Sequence, residues 1–194
     1  MPRTIFDDSY YRRFYSSNPV HDRRTVATLA SAVHAMCAWW DVPVRSVLDV
    51  GAGPGWWRDW YREHHPEVRI TSVDVSDHAC REYGHQRRDI AEWAPGRPYD
   101  LVVCHGVLHY LDDRRAARAI ANLARATRHV LYLEAPTADD LRQVVDRDAT
   151  DLDVHARSGD WYRARLGRHF VQAGAGMWVA KSGGVALYEL ERTR

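Results

Sequence analysis

Ser46-Val-Leu-Asp-Val-Gly-Ala-Gly-Pro-Gly55 is a mostly apolar strand that breaks into glycines at 51, 53 and 55. Alternating glycines between a strand and a helix leave bare main chain for a ligand, because any side chain there would fill the space. Such a turn constrains the chain to an α/β fold built from β-α-β units. The dinucleotide fingerprint needs a third glycine three places after the second, and Trp56 stands there. A nicotinamide or flavin cofactor is therefore disfavoured.

The elements that follow sharpen the reading. Residues 68–75 (Val-Arg-Ile-Thr-Ser-Val-Asp-Val) form a second β-branched run, and Asp74 near its end lies 19 positions after Gly55. An acid at the end of a second strand sits beside the glycine turn, where it can accept from both hydroxyls of a ribose. Residues 86–90 (Gln-Arg-Arg-Asp-Ile) put Asp89 at a third strand end, suited to an adenine amino group. A fourth run, Asp100-Leu-Val-Val-Cys-His-Gly106, opens into a loop. No Gly-x-x-x-x-Gly-Lys cradle is present, and the only lysine is Lys181. The implied ligand carries an adenosine and needs no phosphate contacts.

The order Val-Leu-Asp-Val-Gly-Ala-Gly-Pro-Gly, Val-Asp-Val-Ser, Arg-Asp-Ile, Asp-Leu-Val-Val and Leu-Tyr-Leu-Glu-Ala resembles the class I S-adenosylmethionine-dependent methyltransferases, motif by motif over residues 46–135. The resemblance implies an enzyme with a Rossmann-like three-layer sandwich, its seven-stranded, mostly parallel sheet having an antiparallel last strand. It implies S-adenosyl-L-methionine across the first two strand ends, with S-adenosyl-L-homocysteine as product. Asp49, Gly51, Ala52, Gly53, Asp74, Val75, Asp89 and Ile90 match the family's cofactor positions, and Cys104 is placed beside the methyl group.

Each motif has a plainer reading. Asp74 could cap the helix opened by Ser76 and Asp77, and Asp89 could answer Arg87 and Arg88 beside it. Three such coincidences at the right spacings are less economical than one cofactor site.

At 194 residues the chain is expected to be one domain. Residues 1–40 are expected to form an N-terminal helical lid or cap, 46–135 the cofactor-binding core, and 136–194 the acceptor-side segment with a closing hairpin. The longest uncharged stretch, residues 25–40, contains Thr, Ser and His and is too short to cross a bilayer. The N-terminus lacks the apolar segment of a secretion signal, and Cys37, Cys80 and Cys104 are scattered and odd in number, so a cytoplasmic protein with reduced thiols is expected. A net charge of +1 and short Arg clusters at 12–13, 23–24 and 114–115 disfavour a nucleic-acid partner. A monomer or homodimer is expected.

Tyr11, Phe14 and Tyr15 give an aromatic helical face that either packs on the domain or covers the cofactor cleft, with a hinge at residues 18–22. Helices are expected at 25–40, 56–65, 77–83, 113–127, 137–146 and 160–169. The closing hairpin is expected as 176–181 and 185–191 around Ser182-Gly-Gly.

Methyl transfer needs an acceptor held in line and, for a hydroxyl, a base. Cys104, His105, His109, Tyr110 and Glu134 sit at the carboxyl ends of the fourth and fifth strands. His105 is the first choice as base and His109 the second, since imidazole titrates near neutrality; either could instead only hydrogen-bond backbone or cofactor. No metal is expected, because spacing places no third ligand beside His105 and His109. Asp148, Asp151, Asp153 and His155 form a polar cluster that could hold a cation or acceptor group, or simply be a capped, solvated loop. The Asp/Asn-Pro-Pro-Tyr/Phe element of amino-methylating nucleic-acid enzymes is missing, which favours a small-molecule acceptor, with hydroxyl ahead of amine. Two alternatives stand beside it: a domain that binds S-adenosylmethionine without methylating, and nucleic-acid methylation.

Overall fold

A computed structural model describes residues 6–17 and 20–193. Seven strands alternate with helices in the order the sequence suggests. They are β1 (Ser46–Val50), β2 (Arg69–Asp74), β3 (Gln86–Arg87), β4 (Tyr99–His105), β5 (Thr127–Glu134), β6 (Phe170–Gly174) and β7 (Met177–Ala180). Helix α1 (Asp8–Arg12) continues as a π-helical turn, Arg13–Ser17, and α2 spans Arg23–Trp39. The remaining helices are α3 (Trp56–His64), α4 (Asp77–Tyr83), α5 (Asp113–Ala126), α6 (Ala138–Gln143) and α7 (Gly159–Leu166).

The sheet runs β3-β2-β1-β4-β5-β7-β6. Its first five strands pair in parallel, and β7 is antiparallel to both its neighbours. This is the three-layer, seven-stranded sandwich expected. Because side chains alternate along a strand, each face of the sheet has its own core. Leu48, Val102, Cys104 and Leu131 pack beneath Ile120 and Leu123 of α5. Val47, Leu101, Val103 and Val130 face Val33 and Cys37 of α2 and Trp60 and Tyr61 of α3.

Helix starts follow local chemistry. Asp22, Ser76, Asp112 and Thr137 each accept a backbone N–H from the first turn of the helix they cap. The strand reversal in β6–β7 differs from expectation. The hairpin is made by 170–174 and 177–180, around Gly174-Ala175-Gly176, all three at positive φ. Residues 185–191 form no strand; Leu187 is buried while Tyr188 and Leu190 face solvent. The expected hinge at 18–22 falls partly on residues 18 and 19, outside those described.

Candidate active site

Gly51 and Ala52 both donate from backbone N–H to Val73 O, at 2.9 and 3.1 Å, which folds the turn after β1 over the end of β2. Gly51 has φ +68°, and a Cβ there would collide with Val107. Asp74 then ties the two strand ends together: Oδ2 accepts from Gly53 N at 2.9 Å and Oδ1 from Ser76 N at 2.8 Å. His85 braces the turn from below. Its Nε2 lies 2.9 Å from Gly53 O, and because a carbonyl only accepts, that nitrogen carries the proton. Its Nδ1 is left to accept from Ser72 Oγ at 2.8 Å. Burial depresses the His85 pKa and keeps the ring neutral in this role.

Two joined cavities open along this edge. The smaller, of about 350 Å³, is lined by Gly51, Gly53, Asp74, Val75, Asp89 and Ile90, with Tyr10, Tyr11 and Tyr15 of the N-terminal segment as its roof. The larger, of about 600 Å³, shares Tyr10, Tyr15, Gly51, Gly53, His105 and Tyr110 and runs on to Asp49, Ala52, His109, Glu134 and Asp151. The roof is held by a hydroxyl contact of 2.8 Å between Tyr10 and Tyr110, by Ser76 Oγ donating to Phe6 O at 2.6 Å, and by Tyr11 stacked on Tyr15.

Asp49 is 1% exposed, and its Oδ2 has no hydrogen-bond partner. Burial, with a smaller push from the Asp74 charge, raises its pKa to about 7. A buried carboxyl oxygen aimed into a cavity without a partner is a site for a cationic group. The α-ammonium of S-adenosylmethionine supplies one, and the neighbouring Asp74 and bare glycine turn suit its ribose, so these residues fit that cofactor. The smaller cavity, beside Asp74, is where the adenosine would then lie. Asp89 fronts it with its carboxylate already engaged, Oδ1 accepting from Ala91 N at 2.9 Å and Oδ2 paired with Arg115.

Cys104 requires a correction. Its neighbours of the other parity, Val103 and His105, face α2 and α3, whereas Cys104 is wholly buried against the α5 side and lines neither cavity. Burial raises the pKa of its thiol well above the usual range. It offers the cavity no reactive sulfur.

The two histidines singled out in the sequence are differently placed. Trp57 Nε1–H donates to His105 Nδ1 at 3.2 Å. An indole only donates, so the His105 proton sits on Nε2, which lies 3.3 Å from Glu134 Oε1. Both ring nitrogens are therefore engaged. His109 is 6% exposed, its Nδ1 lacks a partner, and burial pushes its pKa down to about 4. His105 meets Glu134 because the two are in register on adjacent parallel strands. His21, just ahead of the α2 cap Asp22, reaches the same carboxylate: its Nε2 is 3.4 Å from Oε1. These three side chains are the group the sequence did not assemble. Of the Asp148, Asp151, Asp153 and His155 cluster, only Asp151 lines the larger cavity; Asp146 and Asp140, not singled out before, do as well.

A family model described as a methyltransferase domain matches residues 20–179. The chain belongs to the methyltransferase-domain family. The chain is 30% identical over 100 residues to the trans-aconitate 2-methyltransferase of Azoarcus sp. (strain BH72), an alignment covering 47% of this chain and 39% of that protein. It thus spans about two-fifths of the length of this curated relative. Among solved structures it resembles the magnesium protoporphyrin IX methyltransferase ChlM of Synechocystis PCC 6803 with bound S-adenosylhomocysteine, at 20% identity, TM-score 0.61, and 92% and 95% coverage of the two chains. It also resembles the N-methyltransferase NodS of Bradyrhizobium japonicum WM9 in complex with the same product, at 16% identity, TM-score 0.59, and 91% and 99% coverage. These two likenesses concern the fold. No helix among the described residues is long and apolar enough to cross a membrane.

Proposed function

We propose that the protein transfers a methyl group from S-adenosylmethionine to a hydroxyl of a small acceptor that is neutral or cationic. Bound beside Asp49 and Asp74, the cofactor supplies a methyl already activated on a sulfonium. The chain's own task is to hold the acceptor oxygen in line, exclude water and receive a proton. Positioning alone is worth roughly 7–11 kcal/mol, and a base contributes a further factor of about 10² to 10⁴.

One observation carries the acceptor class. The larger cavity, beyond the glycine turn, is lined by the carboxylates of Glu134, Asp140, Asp146 and Asp151, and no arginine or lysine is among the described residues that line it. Aromatic rings of Tyr10, Phe14, Trp56 and Trp57 make up much of the rest. Such a wall attracts an ammonium or a neutral ring and repels carboxylates. The aconitate relative is named for a tricarboxylate, and no arginine or lysine among the described residues lining this cavity is there to receive one.

The same acids suit an amine as the methylated atom, so the two readings need one discriminating substrate. Tyramine carries both a phenol and an ammonium. We expect it to be O-methylated in preference to trans-aconitate by at least tenfold in kcat/KM, with product identified by mass spectrometry and fragmentation. Methyl on nitrogen, or preference for the tricarboxylate, rejects the proposal. Cofactor consumption with no methylated product would favour a binding or non-methylating role.

A further inference from the structure

We propose that His21 is the residue that takes the acceptor's proton, acting as a dyad with Glu134. This rests on the O-methylation reading above and adds the residue that performs its proton step.

The assignment follows from which lone pairs are free. Glu134 is held from three sides: Oε1 faces the Nε2 atoms of His105 and His21, and Oε2 accepts from Tyr132 Oη at 3.1 Å. Burial alone would raise its pKa, but the hydrogen bonds it accepts from His105 and His21 outweigh it and hold the carboxyl well below the usual range. Glu134 is therefore a fixed anion and a poor proton acceptor. His105 has no lone pair to give, since Trp57 occupies Nδ1 and the Nε2 proton points at Glu134. His109 also lines the cavity with Nδ1 unpartnered, but it is 6% exposed and burial pushes its pKa down to about 4, which makes it a weak base. His21 is left. Its Nε2 addresses Glu134, its Nδ1 makes no hydrogen bond among the described residues, and its half-open ring lines the larger cavity.

The groups facing His21 all favour its charged form or are neutral. They are Glu134 on β5, His105 on β4, at a ring separation of 5.2 Å, and Asp22 in its own segment. The hydrogen bond that His21 donates to Glu134 is the largest influence and raises the His21 pKa, against a smaller lowering by burial. In the reaction the acceptor oxygen gains the methyl and loses its proton to His21 Nδ1. The electron pair of the broken S–C bond stays on sulfur and cancels the sulfonium charge. The positive charge reappears on the imidazolium, against Glu134, and is later released as a proton to water. An acid that orients a histidine and stabilises its charged form is the arrangement of other acid–histidine pairs.

The donor atoms of His21, His105 and Glu134 lie within 4.8 Å of one another, close enough for a divalent ion. A ligating His105 Nε2 would have to be deprotonated, and the Trp57 indole opposes that tautomer.

The test has two independent arms. In the cofactor-free full chain, ¹⁵N-resolved histidine NMR should show His21 titrating above about 6.5, the ordinary value, with His105 as the Nε2–H tautomer. In Glu134→Gln the His21 midpoint should fall by about one unit or more. In the kinetic arm, with tyramine as acceptor, kcat/KM should rise with pH through that same midpoint, because only neutral His21 accepts a proton. His21→Gln should lower kcat at least 10²-fold, with cofactor Kd changed by less than threefold in calorimetry. A His21 midpoint indifferent to Glu134→Gln, a His21→Gln rate within threefold of wild type, or stoichiometric Zn²⁺ binding lost in His105→Ala would each overturn the proposal. If no hydroxyl acceptor is methylated at all, the O-methylation reading fails, and the NMR arm still decides whether the dyad exists.

Discussion

Asp49 lies at the centre of the sheet edge, with one oxygen unpartnered and its pKa raised to about 7 by burial. In an unfolded chain the same group titrates near 3.9. Between those values the folded state holds a proton that the unfolded state has lost, so stability falls as pH rises toward 7 and stays reduced above it. Three units cap the effect at about 4 kcal/mol. Asp49→Asn should therefore raise the melting temperature of the cofactor-free protein at pH 8 by several degrees, and much less at pH 5. The same change should weaken cofactor binding at least tenfold by calorimetry. A variant that is less stable at pH 8, or binds normally, would show that Asp49 is a structural acid. At this scale the sequence was partly legible. Gly51, Gly53 and Asp74 announce themselves by spacing, because a turn that meets a ligand needs particular residues at particular intervals. Cys104 was misplaced because proximity along the chain ignores strand parity. Glu134 belongs with His105 only through the β4–β5 register, and His21 arrives from a loop that no periodicity connects to β5.

Among the elements, the turn after β1 combines a left-handed Gly51 with the close approach of Val107. Gly51→Ala adds backbone strain of about 1–3 kcal/mol and a steric collision on top of it. We expect a lower melting temperature and at least a tenfold loss of cofactor affinity. The double variant Gly51→Ala/Val107→Ala should regain part of the affinity, since it removes the collision and leaves the strain. No rescue would mean that the conformation alone matters. Most element boundaries were readable, α4 to the residue, because caps such as Ser76 and Asp112 mark where helices begin. The closing hairpin was not. Residues 185–191 alternate like a strand, yet the edge position is taken by Phe170–Gly174, whose link to β7 needs three consecutive positive-φ residues, one of them Ala175. An alanine in that conformation carries no turn signal, whereas Ser182-Gly-Gly does.

Across the whole molecule, two apolar cores on opposite sheet faces leave one polar edge, and the N-terminal aromatic segment lies over it. Tyr10 and Tyr110 join roof to floor through their hydroxyls at 2.8 Å. One such bond is worth about 1 kcal/mol, so Tyr10→Phe or Tyr110→Phe should speed release of S-adenosylhomocysteine about fivefold in stopped-flow measurements. The double variant should do no more than either alone; additive effects would mean that each ring acts separately. The larger reading, one sheet with helices on both sides, was legible from alternation and strand order. The N-terminal segment was expected as a helical lid or cap, but the spacing of its rings left packing on the domain and covering the cleft equally open. If a spent nucleoside lies beneath these tyrosines, its departure requires a short stretch of chain to lift, and the clock of the catalyst would then be kept by that breathing while the bond-making step waits its turn.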